Sequence, residues 1–542
     1  VADAAAAIAE TSDGHAWWQR GVIYQIYPRS FMDSDGDGVG DLRGIASRLD
    51  HVVSVGVDAV WISPFYPSPM VDFGYDVTDH CAVDPLFGTL ADFDHLLAEA
   101  HARGIRVILD FIPNHTSDRH PWFIESRSSR QSPKRGWYVW RDAGADGGVP
   151  TNWGAAFGGS TWEWDASTGQ YYLHTFLREQ PDLNWRNPEV VEAMLDVLRF
   201  WLARGVDGFR VDAVQNVVKD DQFRDNPPNP RWKEGDDPFE KLERVWSGDR
   251  PEVHRLIARM REVVEEMRPD GVVIGEIYNT VERMMPYYGE GGRGAHFPYN
   301  FQLIRLPWEA RTIDAAVRRY EALLPPGAWP NWVLGNHDRP RIATRVGAEQ
   351  ARVAAVLLFT LRGTPTLYYG DEIGMTNVPI PPEREVDPWG RRVPGFGRDP
   401  ERTPMQWDGG PGAGFTTGDP WLPISPNAST VNVAAEDDDP TSMLNLHRRL
   451  IELRRREPAL AVGSYAPVDA RGDVLAYVRE AADGARFLVA LNLGASPQVL
   501  DVDESIGMGD VVLSTLGDGE GRAVRGRVEL AADEAVVVRL RA

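Results

Sequence analysis

Eight short apolar runs recur between Gly21 and Ile373, with amphipathic segments between most of them, and nothing else in the chain restricts its fold as strongly. They begin at Gly21 (GVIYQIYPRSF), Asp58 (DAVWISPF), Ile105 (IRVILDFIPNH), Gly205 (GVDGFRVDAV), Gly271 (GVVIGEIY), His296 (HFPYNFQL), Asn331 (NWVLGNHD) and Thr364 (TPTLYYGDEI). Runs of Val, Ile and aromatics without polar alternation are the pattern of strands buried on both faces. Eight of them separated mostly by helices match the count of a (β/α)8 TIM barrel, with a doubly wound open sheet as the alternative. The clearest helix is NPEVVEAMLDVLRFWLARG: Asn187 is an N-cap candidate, Pro188 fits the first turn, and Gly205 can end it.

Two spacings break the alternation. Residues 116–180 follow the third run, lack a long helix, and are rich in Gly, Ser and Trp, which predicts an inserted subdomain. Asp371 to about Ser442 is a Pro/Gly-rich stretch expected to cover the same face, and a last helix is predicted over Asn445–Glu457. From about residue 461 the pattern changes to short alternating strands with Gly/Asp turns. The expected division is therefore a catalytic barrel over 1–115 and 181–460, a subdomain over 116–180, and a C-terminal antiparallel β-sandwich over 461–542.

In a barrel, the chemistry sits where the strands end. There the sequence places Asp110, Asn114 and His115, then Arg210 and Asp212, then Glu276, then His337 and Asp338. The chain has no HExxH, no GxSxG and no phosphate-cradling loop. Three carboxylates brought together from separate strands suit glycosidic cleavage, in which one acid protonates the leaving oxygen and another faces the anomeric carbon. Mg2+ held for phosphoryl or enolisation chemistry is the less favoured alternative.

Composition narrows the partners. Asp and Glu outnumber Lys and Arg 80 to 57, a formal charge of -23, so nucleic acid and anionic membrane surfaces are poor partners. The 19 Trp, 16 Tyr and 19 Phe supply flat faces of the kind that stack on sugar rings. Cys81 is the one cysteine, so no intrachain disulfide is possible. The first residues, VADAAAAIAETSDGH, lack the basic region of a signal peptide, and no apolar run is long enough for a membrane span. A cytoplasmic location is expected, and the oligomeric state stays open.

The strand-end segments are recognisable. DFIPNH (Asp110–His115), GFRVDAV (Gly208–Val214), GEIY (Gly275–Tyr278) and NHD (Asn336–Asp338) resemble the four signature segments of glycoside hydrolase family 13, the α-amylase family. QPDLN from Gln180 resembles its oligo-1,6-glucosidase/α-glucosidase branch. The resemblance implies that Asp212 is the nucleophile, Glu276 the general acid/base and Asp338 the third carboxylate, which grips the sugar hydroxyls. It implies that His115, His337 and Arg210 contact the glucose or the nucleophile, that Tyr75 stacks on the ring, and that Phe176 lines the acceptor side. Asp72 is expected to pair with Arg402 and wall off the pocket, making the enzyme exo-acting on small neutral α-glucosides. Ala213, a small residue after the nucleophile, leans the expectation towards α-1,4 linkages.

DSDGDGVGD (Asp33–Asp41) spaces oxygens as a calcium loop does, with Asp33, Asp35, Asp37, the Val39 carbonyl and Asp41 as ligands. The resemblance likewise implies a structural Ca2+ or Mg2+ there, and no organic cofactor. The implied activity is retaining α-glucosidase with transglucosylation. The rivals are a sucrose or trehalose isomerase of the same fold and a binding homologue that has lost its carboxylates, which the presence of Asp212, Glu276 and Asp338 disfavours.

Overall fold

A computed structural model describes residues 14–503, 506–517 and 519–541; the amino-terminal stretch read above for targeting falls almost wholly outside them. All eight apolar runs form strands: β1 (Ile23–Ile26), β2 (Ala59–Ile62), β3 (Arg106–Phe111), β4 (Gly208–Val211), β5 (Val272–Glu276), β6 (Phe297–Tyr299), β7 (Asn331–Val333) and β8 (Thr364–Tyr368). They pair in parallel in the order β7-β8-β1-β2-β3-β4-β5-β6. The ladder is interrupted only between β6 and β7, where the Asn300 amide donates to Asn331 Oδ1 at 3.3 Å and carries the barrel round.

Alternation along each strand sorts side chains onto two faces. Ile23, Ala59, Trp61, Ile108, Ile274 and Val333 fill the barrel, while Tyr24, Val60, Ile62, Val107 and Leu109 pack outward under the helices. Both faces are therefore buried, which is why the runs read as continuously apolar.

The helix Pro188–Arg204 shows how the sequence sets an element's limits. The Asn187 side chain accepts from the Glu189 amide, Pro188 occupies the first turn, and Gly205 closes the helix at φ 110°. Its Val191, Met194, Leu195, Leu198, Trp201 and Leu202 are all buried.

After β3, residues 116–180 carry a short helix, Pro121–Arg127, and a three-stranded antiparallel sheet of Trp140–Arg141, Gln170–Leu173 and Trp162–Asp165. The stretch after β8 contains only short helical turns such as Pro388–Arg392, and the following helix spans Met443–Arg456. The last part of the chain forms a six-stranded antiparallel sheet and a two-stranded one, Gln498–Asp501 with Arg527–Leu530, enclosing their own apolar core. Tyr477 and Thr360 share a hydrogen bond of 2.6 Å that ties this domain to the barrel. Among the described residues, no helix is long and apolar enough to cross a membrane.

Candidate active site

At the carboxyl end of the barrel a single guanidinium serves three acids. Arg210, on β4, is 1% exposed; its Nη1 donates to Asp110 Oδ1 at 2.5 Å and Asp212 Oδ1 at 2.7 Å, and its Nη2 pairs with Glu276 Oε1. Arg210 and Asp212 sit two residues apart, so strand periodicity turns both inward. The Ala213 amide donates to the other Glu276 oxygen at 2.8 Å, in a left-handed backbone turn at φ 44°. Burial, with Glu276 and Asp110 as neighbouring charges, pushes the Asp212 carboxyl up, and Arg210 pulls it down. Burial likewise raises Asp110 to about 6 against the pull of Arg210. One positive charge does not offset the burial of Asp110 and Asp212 together, so this pair retains a proton above the ordinary carboxylate range.

The third carboxylate is held differently. Asp338 Oδ1 accepts from Arg402 Nη2 at 2.8 Å and Arg398 Nη1 at 3.1 Å. Burial opposes its charge, but His337, Arg398 and Arg402 outweigh it and hold the carboxyl far below the usual range. The expected partnership of Asp72 with Arg402 is not what forms. Asp72 Oδ1 pairs with Arg398 Nη2 at 2.7 Å, and Arg402 instead spends its Nε on the His337 carbonyl at 2.6 Å and its Nη2 on Asp338. Asp387 completes the cluster, 2.6 Å from Arg398 Nη2. The reason is position: the one helical turn Asp399–Glu401 separates Arg398 from Arg402, both of which reach Asp338 Oδ1, and only Arg398 also pairs with Asp72. A closing wall between Asp72 and the post-β8 segment does exist, carried by a residue that the sequence reading passed over.

Tyr75 and the two histidines line and back this floor. The Tyr75 hydroxyl lies 2.7 Å from His337 Nε2 and 3.3 Å from Asp110 Oδ2, and His337 Nδ1 lies 2.8 Å from Gln25 Nε2. His115 Nε2 contacts the Tyr75 carbonyl and Gln180 Nε2, each at 3.1 Å. Burial depresses both rings, His115 to about 4 and His337 to about 3, so both are neutral at ordinary pH. Behind His115, Lys219 Nζ bonds Asp182 at 2.6 Å and Asn114 at 2.7 Å. The Asp182 of QPDLN is therefore a support for the site.

These groups open into one cleft of about 890 Å3, lined by Asp72, Tyr75, His115, Phe176, Asp212, Glu276 and Asp338. Arg210, His337 and Arg402 lie behind that surface, each at most 1% exposed. Opposite the carboxylates, Phe176 packs 5.9 Å from Phe157, which lies 5.7 Å from Trp389. Phe239, Glu240 and Arg244 close the cleft from the segment after β4, which an ion pair of 2.5 Å between Glu240 and Arg305 anchors to the far side. The aromatic wall gathers residues from three loops far apart in sequence, which no local motif could announce.

The acidic loop after β1 gathers three of its carboxylates. Ligand oxygens of Asp33, Asp35 and Asp37 all lie within 4.8 Å of one another, a hard donor set that fits an oxygen-ligated divalent cation. Asp41 stands outside that group. Its carboxylate accepts from the amides of Ser34 at 2.7 Å and Gly44 at 2.8 Å and caps the helix Leu42–Ser47. An N-terminal helix turn offers unpaired N–H groups, and these have claimed the carboxylate.

Comparison with known proteins agrees with this architecture. Residues 25–463 match the family model of the α-amylase catalytic domain. A probable α-glucosidase of Rhizobium meliloti (strain 1021) is 44% identical over 483 residues, covering 85% of this chain and 87% of its own length. The solved structure of an α-glucosyl transfer enzyme, XgtA, superimposes with a TM-score of 0.92 at 43% identity, over 97% of this chain and all of its own. That of the trehalulose synthase MutB from Pseudomonas mesoacidophila MX-45 gives 0.89 at 36%, over the same shares.

Proposed function

The chain belongs to the α-amylase family of glycoside hydrolases, and on that premise we propose that it is a retaining, exo-acting α-glucosidase that takes terminal glucose from short α-1,4-linked substrates such as maltose. The observation that carries this reading is the pairing of Asp212 and Glu276 on one guanidinium at the floor of a cleft walled by Asp72, Arg398 and Asp338. Two carboxylates on adjacent nitrogens of one side chain stay close together, as covalent displacement requires, leaving no gap for a water between base and sugar.

In this reading Asp212 attacks the anomeric carbon while Glu276 gives its proton to the departing glycosidic oxygen. Glu276 then takes a proton from water, or from a second sugar hydroxyl, as that oxygen displaces Asp212 and releases α-configured product. The permanently charged Asp338 hydrogen-bonds the glucose hydroxyls beside the neutral His115 and His337, and Tyr75 offers its ring. Phe176 and the aromatics beside it receive the leaving or accepting sugar. The likeness to an α-glucosyl transfer enzyme supports transfer alongside hydrolysis, and that to a trehalulose synthase supports sucrose isomerisation as the second reading.

Asp33, Asp35 and Asp37 would hold a Ca2+ or Mg2+ ion that neutralises the loop and takes no part in the reaction. The lone Cys81 fits a cytoplasmic setting.

The test is a product survey with maltose, maltotriose, isomaltose and sucrose, the anomer of newly released glucose being followed by proton NMR. We expect α-glucose first, and faster from maltose than from isomaltose. β-Glucose would refute retention, and isomerised disaccharide exceeding free glucose would replace hydrolysis with the second reading.

A further inference from the structure

Lys219 follows Asp212 by seven residues, is 4% exposed and stays out of the carboxylate cleft. Its ammonium pairs with Asp182 Oδ2 at 2.6 Å and donates to Asn114 Oδ1 at 2.7 Å, and both of these residues are wholly buried. Burial lowers its pKa, and the Asp182 carboxylate resists that shift.

An ammonium group can only donate, so the Asn114 atom that faces it is the carbonyl oxygen. The Asp182 carboxylate can only accept, and it takes Asn114 Nδ2 at 3.0 Å. With one partner of each kind, the amide has a single orientation. Its Nδ2 then lies 3.2 Å from His115 Nδ1. A donor at that place leaves Nδ1 to accept, so the neutral ring carries its proton on Nε2.

The other side of the ring does not decide. His115 Nε2 faces the Tyr75 carbonyl, an acceptor, and Gln180 Nε2, a donor, each at 3.1 Å. Gln180 is itself fixed, because its Oε1 accepts from the Leu177 amide at 3.0 Å and its Nε2 donates to Asp72 Oδ2 at 3.1 Å. Were the Asn114 amide turned over, Nδ1 would donate to its oxygen and Nε2 would accept from Gln180. The surroundings offer partners to both tautomers, and the Asn114 amide selects between them.

We propose that Lys219 is a positioning residue which, through Asn114, holds His115 in its Nε2-protonated form. The ring then presents an N–H, and not a lone pair, on the side of Tyr75 and Asp72, which line the cleft with it. What the N–H serves there rests on the α-glucosidase reading: it donates to a hydroxyl oxygen of the terminal glucose.

Long-range proton–nitrogen NMR of the full chain with isotope-labelled histidine, assigned with His115→Gln, reads the ring without any sugar present. The wild-type ring is expected to be protonated on Nε2 alone. Lys219→Met leaves the Asn114 oxygen without its donor and should bring Nδ1 protonation into the His115 signal. It should also raise KM for maltose about fivefold, the worth of one hydrogen bond, with kcat changed by less than about twofold. A loss of packing alone would lower the melting midpoint and leave the ring and KM as they were. Asn114→Ala keeps the Lys219–Asp182 pair and should give the same two changes, which covers a Lys219→Met chain that does not fold. Nδ1 protonation in the wild type, or a ring unaltered in either variant, overturns the proposal. A wild-type chain inactive on maltose would overturn the α-glucosidase reading and not the tautomer.

Discussion

The placement of Arg398 makes that residue the most consequential single side chain outside the reacting pair. It joins Asp72, Asp338 and Asp387 while only 5% exposed, so removing its charge leaves the buried Asp72 without its ion pair and leaves Asp338 and Asp387 to Arg402 alone. Breaking a buried pair from one side costs about 3–5 kcal/mol, and here the pair lost outright is that of Asp72. Arg398→Met is expected to lower the thermal midpoint and to raise KM for maltose more than it lowers kcat, because it loosens the grip on the terminal sugar and leaves Asp212 and Glu276 untouched. A fall in kcat alone, at constant KM, would show that the wall does not bind sugar. Asp212→Asn should act in the opposite sense: a loss of about 10³-fold or more in kcat, with the fold retained. Ala213 offers a third test, since its φ of 44° suits no β-branched side chain. Ala213→Val should cost stability as well as shift the ratio of kcat/KM for isomaltose over maltose upward, and the two effects are read separately by melting and by kinetics.

At the scale of elements, what the sequence announces and what it hides follow from the range of the interactions. The barrel strands were legible because burial on both faces leaves an unbroken apolar signature, and the helix from Pro188 because its caps are local side-chain-to-backbone bonds. Removing such a cap has a local cost: Asn187→Ala should lower stability by about 1 kcal/mol, measurable in urea with an unchanged m-value. The carboxylates on the strand ends were legible for the same reason, being fixed to strands by register. The choice between Arg398 and Arg402 was not, because it depends on how a Pro/Gly-rich segment folds back over the barrel. Asp41, expected as a cation ligand, caps the helix Leu42–Ser47, a role set by backbone N–H groups three residues on. The sequence of the segment after β4, DNPPNPRWKEGDDPFE from Asp225, suits a solvated loop and a restriction on substrate length equally. Its Phe239 and Glu240 line the cleft, and Arg305 pins it there. Arg305→Ala should therefore raise activity on maltotriose relative to maltose; an unchanged ratio would return the segment to the role of a plain loop.

For the molecule as a whole, the buried titratable groups set opposing pH limits. Burial lowers His80, His115 and His447 to about 4, and His120 and His337 to about 3. Between those values and the unfolded value near 6.5, the unfolded chain binds more protons, so stability rises with pH through that window and acid unfolds the protein. Burial raises carboxyls instead: Asp371 and Glu436 to about 7, and Glu401 to about 8. Here the folded chain binds more protons from about pH 4 upward. The stability these groups contribute is complete below their unfolded values and is lost as pH climbs through 7 and 8. Below about pH 6.5 the two sets oppose each other; above it only the carboxyls still titrate, and the balance turns downward. The thermal midpoint should therefore fall as pH rises from about 6.5 to 8. Glu401 is 3% exposed and accepts from Asn377 Nδ2 at 3.1 Å, so an uncharged isostere can fill its place. Glu401→Gln should flatten this alkaline decline by about 1.4 kcal/mol for each pH unit over which Glu401 alone would have titrated. A variant whose midpoint declines between pH 7 and 8 as steeply as the wild type would place the alkaline loss elsewhere.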